Sequence, residues 1–145
     1  MKKLALVIVL ALCTSLTFGQ KVKIKKGIVT VDDVEVYKID KEGSMETLST
    51  MASNEFLSIL STTYEVRNEA HYRPNGQNFP AMITKWIFTV KFLESGKDLA
   101  TDLSPKDIIK AVYKSEMVDA NGKIDEEKLN IFINKYNNEN LKYKL

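Results

Sequence analysis

Alternation from Met82 to Phe92 constrains this chain more than any other feature. Met82, Trp86, Phe88, Val90 and Phe92 fall on one face, and Lys85, Thr89 and Lys91 on the other. A period of two held this long specifies a strand with one face on a core and the other toward water. Such a strand is not stable alone, so the chain has to supply a sheet around it. The same alternation predicts that Trp86 and its aromatic neighbours pack in that core, in preference to lining a ligand cavity.

The upstream segments supply the partners. From Lys21 to Lys41 the β-branched residues crowd together: Val22, Ile24, Ile28, Val29, Val31, Val34, Val36 and Ile39. Asp32-Asp33 interrupts them with short acidic side chains that tolerate turn geometry, which predicts a β-hairpin with its tip there. The inward phase runs through Val22 and Ile24 and then shifts to Val29 and Val31. Gly27 lies at the shift, where a bulge absorbs the extra residue. Lys41 to Ser44 reads as a turn. Between Met45 and Val66, Phe56, Ile59, Leu60, Thr63 and Tyr64 fit a helical stripe, whereas Thr47, Thr50, Thr62, Thr63, Tyr64 and Val66 favour strands. The balance predicts two strands broken at Ser53-Asn54-Glu55. A polar loop over 65–80 follows, then the 82–92 strand, a turn at Glu94-Ser95-Gly96-Lys97 and a short strand around Asp98 to Leu103.

The last third changes to helical signals. Ser104-Pro105-Lys106-Asp107 offers an N-cap, a proline at the first helical position and an acid at the third, with Ile108, Ile109, Val112 and Tyr113 on one face. A turn over 119–122 ends that unit. Asp125 caps a second helix with Leu129, Phe132, Ile133 and Tyr136 on its inner face, and Ile124 is placed to staple against Leu129. The fold class is therefore α+β: an antiparallel β-meander sheet over 21–103 packed by a C-terminal helical hairpin over 104–137, with a loose tail over 138–145.

Lys2 and Lys3 precede an apolar run, Leu4 to Leu12, that is too short for a stable transmembrane anchor. The run breaks at Thr14 and Ser15, and Gly19 offers a cleavage point before Gln20. This predicts a signal peptide over 1–19, a single domain over 20–145, and export to the periplasm or beyond the cell. The only cysteine, Cys13, falls in the leader. Leu12 stands before it, where a lipidated cysteine normally has a small residue, so Cys13 reads as apolar filler. The 21 Lys and Arg against 19 Asp and Glu include Lys2 and Lys3, so the remainder carries 19 of each sign. Balanced charge offers no general attraction to a polyanion, and nucleic acid is not an expected partner. No later segment is long and apolar enough for a transmembrane helix. A domain of this size buries roughly two-thirds of its unfolded surface in one core.

The segments "KVKIKKGIVTVDDVEVYKID", "WIFTVKF" and "DIIKAVY...VDANGKIDEEKLNIFINKY" together resemble those of small exported proteins of Bacteroidetes. The resemblance covers most of the mature chain and is structural in character. It implies an envelope or extracellular location and an antiparallel sheet followed by paired helices, and it brings no catalytic or binding residue with it.

Candidate chemistry is sparse. A zinc site needs several His or Cys ligands, and His71 is the only histidine. Counting a calcium loop from Asp119 places Lys123 fifth, Ile124 sixth and Asn130 twelfth, which fails the requirement for Gly at six and Glu at twelve. No metal and no cofactor is expected. Lys21, Lys23, Lys25 and Lys26 form a basic stretch, read as protection of an edge strand before a contact with anionic glycan or lipid. The loop from Arg67 to Phe79 mixes Arg, His, Tyr, Asn and Gly, a composition suited to recognition; Arg67, His71, Tyr72 and Arg73 are its candidate binding residues. The expectation is a noncatalytic exported protein that binds a protein or envelope-glycan partner. The alternatives are a small secreted hydrolase centred on His71, with Glu69 or a nearby Ser or Tyr, and a secreted inhibitor that inserts the 67–79 loop into a partner enzyme.

Overall fold

Seven strands form one antiparallel sheet in the computed structural model, which describes residues 19–145. They are β1 (Val22–Lys25), β2 (Ile28–Val31), β3 (Val34–Glu42), β4 (Met45–Thr50), β5 (Glu55–Arg67), β6 (Met82–Phe92) and β7 (Asp98–Thr101), paired strictly in sequence order. Helices α1 (Pro105–Ser115), α2 (Glu126–Tyr136) and α3 (Glu139–Lys142) follow. The architecture is the α+β meander read from the sequence. The leader reading rests on residues 1–18, Cys13 among them, which lie outside those described. Among the described residues no helix is long and apolar enough to cross a membrane.

The first segment makes two turns where the sequence reading places one. Lys26 and Gly27 have φ of 50° and 76°, and Asp32 and Asp33 have 52° and 66°. Positive φ at both central residues is what a two-residue turn needs to match the right-handed twist of its strands. Gly27 is thus a turn residue and not the expected bulge. The real irregularity lies on β3, where Tyr37 faces Val29 and Glu35 faces Thr30, leaving Val36 between them without an opposite residue. A second bulge follows on β5: Leu48 faces Leu57 and Ser49 faces Glu55, so Phe56 is extra. The bulge breaks the period of two and lets the adjacent Phe56 and Leu57 both enter the core.

One face of the sheet packs on α1 and α2. Val29, Leu48, Leu57, Ile59, Val90, Phe92 and Leu99 meet Ile108, Ile109, Val112, Leu129 and Phe132 in a single buried cluster, with Phe132 edge-on to Phe92 at 6.0 Å. The helices begin where their caps place them. The Ser104 hydroxyl accepts from the Asp107 amide at 3.3 Å with Pro105 at the first turn, and the Asp125 carboxylate accepts from the amides of Glu127 and Lys128. Between the helices, Asp119 Oδ1 accepts from the amides of Asn121 and Lys123, and Glu94 Oε2 accepts from the amide of Ile124 at 3.0 Å. The 119–122 segment is thereby a side-chain-locked turn tied to the end of β6.

The two sheet edges are treated differently. β1 is the edge strand, and its lysines face solvent as expected, with Lys23 paired to Asp33. A hydrogen bond from Lys23, reinforced by its charge, holds the Asp33 carboxyl below the usual carboxylate range. On β7, the Ala100 amide donates to Asn137 Oδ1 at 3.0 Å, and the Asn138 amide donates to the Ala100 carbonyl at 2.8 Å. The chain then crosses the β7 edge to the opposite face of the sheet. There Leu141 of α3 is buried against Ile87 and Ala100, with Tyr64 packed beside them. The tail read as loose from its polar composition is a clasp, because it satisfies an exposed strand edge and then covers a second apolar cluster.

Candidate functional site

β5 and β6 outrun every other strand. Their pairing extends from Leu57 opposite Phe92 to Arg67 opposite Met82, whereas β4 stops at Met45 opposite Leu60 and β7 stops at Thr101 opposite Phe88. Among the described residues, Thr62–Arg67 and Met82–Ile87 therefore pair only with each other, a two-stranded arm about 20 Å long. Its base is braced on the reverse face, since Tyr64 and Ile87 pack under α3.

Trp86 shows where the helical cover ends. It lies on the core-facing side as the alternation predicts, but it is 56% exposed, and Met82 beyond it is exposed as well. The expectation that Trp86 packs in the core is therefore corrected: α1 starts at Pro105, beside Phe88, and among the described residues Trp86 and Met82 further out stay exposed. The Trp86 and Phe88 rings stand nearly parallel, 14° apart in plane and 6.3 Å between centres. With Lys41, Gly43, Ser44, Glu46, Ser61 and Pro105 they enclose an open corner of about 430 Å³. Lys41 Nζ lies 3.1 Å from Glu46 Oε1, while Glu46 Oε2 is buried without a hydrogen-bond partner among the described residues.

The tip loop is folded on itself. Asn68 receives nothing from chance: its amide donates to the Ala81 carbonyl, its Nδ2 donates to the Pro80 carbonyl at 2.8 Å, and its Oδ1 accepts from the Ala70 amide. Successive turns follow at His71, Arg73, Gly76 and Phe79, the last ending a single 3-10 turn over Gly76–Asn78. Gly76 is buried, and a Cβ there would lie 2.0 Å from the Ala70 carbonyl oxygen, so the loop closes only around a glycine.

The structure brings three of the four sequence-predicted residues together. Arg67 lays its guanidinium 3.8 Å from the centre of the Tyr72 ring, His71 packs edgewise on the same ring at 4.9 Å, and Arg67 Nε approaches Glu69 Oε1 at 3.6 Å. Arg73 is exposed and is held in the loop by its backbone, its amide donating to the Ala70 carbonyl and its carbonyl accepting from the Gly76 amide. His71 Nδ1 donates to the Phe79 carbonyl at 2.6 Å; a carbonyl only accepts, which fixes the proton on that nitrogen. The pairing of His71 with Glu69 that a hydrolytic site would use is not formed, because Glu69 turns to Arg67 and His71 holds the loop closed. Tyr72 and Phe79 project from this scaffold with their rings about half exposed.

Sequence reasoning located the loop but missed the corner around Trp86. Its signal, an aromatic strand face longer than the helices can cover, was present in the lengths of the elements. Set against protein-family models, curated proteins and solved structures, the chain finds no match.

Proposed function

We propose that this is an exported, noncatalytic binding protein that engages a macromolecule of the cell envelope through the β5–β6 arm. The observation that carries the reading is the arm itself: an ordered loop on a braced two-stranded support, displaying Tyr72, Phe79, Met82 and Trp86 to solvent. Rigid aromatics presented at low conformational cost are the usual anchors of a binding surface. The leader and the likeness to small exported Bacteroidetes proteins support the envelope setting, and detection of a mature chain starting at Gln20 in exported fractions would test it. The binding test replaces 68–81 with a two-residue Asn-Gly turn. Retention on the envelope fraction should disappear while the melting of the sheet is unchanged; full retention would refute the reading.

A second reading, an inhibitor inserting the 67–79 loop into an enzyme cleft, is favoured by the loop's internal hydrogen bonds, since a preformed loop loses little entropy on insertion. Protease or glycosidase activity in exported fractions, assayed with the intact protein and with the shortened arm, separates this from simple attachment.

A further inference from the structure

The open corner beside α1 has chemistry of its own. From it, the core-facing side of the arm continues outward as Trp86 opposite Thr63, Thr84 opposite Glu65 and Met82 opposite Arg67, ending under the Tyr72 ring that stacks on Arg67. An aromatic ring thus stands at each end of a strip about 13 Å long whose middle is hydroxyl and amphipathic side chains. The charges along it are few: Lys41 pairs with Glu46, Arg67 with Glu69 of the loop, and Glu65 stands alone two residues before Arg67 on the same face. Charges that are paired or isolated build no dense field of either sign, so nothing here selects strongly for an anion or a cation. The broken apolar pattern of the strip likewise offers no continuous groove to an aliphatic chain or an amphipathic helix.

We propose that the Trp86 corner and the adjoining strip bind a neutral oligosaccharide, with a pyranose ring stacked on Trp86 and its hydroxyls bonded to Glu46, Ser44 and Ser61. Two independent features lead to this ligand class. The Trp86 indole is half exposed at the mouth of a concave site, and Phe88 lies parallel to it, which leaves one aromatic face for the C–H surface of a sugar ring. Glu46 lines the corner, and its Oε2 is an acceptor with no donor among the described residues; a ligand hydroxyl supplies one when the carboxylate turns toward it. This inference rests on the arm being the binding element and names what that element takes.

Trp86 is the only tryptophan, so its emission reports on this site alone. The mature chain is titrated with chitotriose, cellotriose and maltotriose. At least one is expected to change the emission saturably at millimolar concentration or below, with a matching saturation-transfer signal from the sugar protons. Trp86→Ala should remove the saturation-transfer signal and Trp86→Tyr should retain it, while Glu46→Gln should weaken binding roughly tenfold. Lys91→Ala, on the opposite face, should bind as the parent does. Trp86 is largely exposed, so its variants keep the fold, and equal melting temperatures verify this. Absence of a saturable response to all three sugars, or binding that survives Trp86→Ala, overturns the inference. If the sugars fail while envelope retention still depends on 68–81, the arm reading stands without the saccharide; if both fail, neither stands.

Discussion

Replacing Leu141 by Ala tests how the C-terminal clasp supports the arm. Leu141 is 8% exposed and is the only residue of α3 that enters the cluster with Ile87 and Ala100. Truncating a buried leucine to alanine costs about 2 kcal/mol in lost transfer energy alone, and up to about 5 kcal/mol where a rigid cavity remains. A helix of one turn can settle into the gap, so the lower figure applies, about 2 kcal/mol. For a domain of this size that lowers the melting midpoint by roughly 8 °C. Circular dichroism measures the midpoint, and amide exchange shows where the loss is felt. Ala100, whose amide is held by Asn137, and the arm-base residues Tyr64 and Ile87 should exchange faster, while β1–β3 should not. An unchanged midpoint with unchanged exchange at Ala100 would show that the tail does not hold the sheet.

Other variants test separate parts of the account. Gly76→Ala should open the tip loop, because its Cβ meets two carbonyl oxygens within 3 Å; we expect faster exchange over 68–81 and weakened envelope retention, with little change in global melting. Asp125→Ala removes a side chain that accepts from two amides and should cost about 1 kcal/mol of stability, read by urea denaturation. Burial, with Tyr113 nearby, pushes the Tyr37 hydroxyl up to about 12 from an ordinary value of 10.0. The folded protein then keeps a proton that the unfolded chain has released. Stability should therefore fall as pH rises from 10 to 12, by roughly 2 to 3 kcal/mol, and Tyr37→Phe should abolish this component of the pH profile.

What was legible in the sequence was whatever local chemistry decides. Ser104 and Asp125 cap helices because their side chains reach nearby amides, and Asp32-Asp33 turns because short polar residues tolerate positive φ. The division of 45–66 into two strands at Ser53-Asn54 was legible for the same reason, with Ser53 at φ 69°. What was not legible depends on partners distant in the chain. Gly27 reads as a bulge until β2 is seen to reverse onto β1. Trp86 has the phase of a core residue, and only the position of α1 leaves it uncovered. The Asn137–Leu145 segment has a loose composition, and its order comes from the free edge of β7, which it completes. At the candidate site, composition marked Arg67, His71 and Tyr72. The stacking that joins them, and the commitment of His71 Nδ1 to the Phe79 carbonyl, required the closed loop.

Amide hydrogen exchange of the mature chain, with and without solubilised envelope fraction, tests most directly whether the arm is the recognition element. The account predicts protection concentrated in Thr62–Ile87 and around Glu46, with α1 and α2 unchanged. Protection confined to the helices or to β1, with the arm exchanging as freely as before, would contradict it.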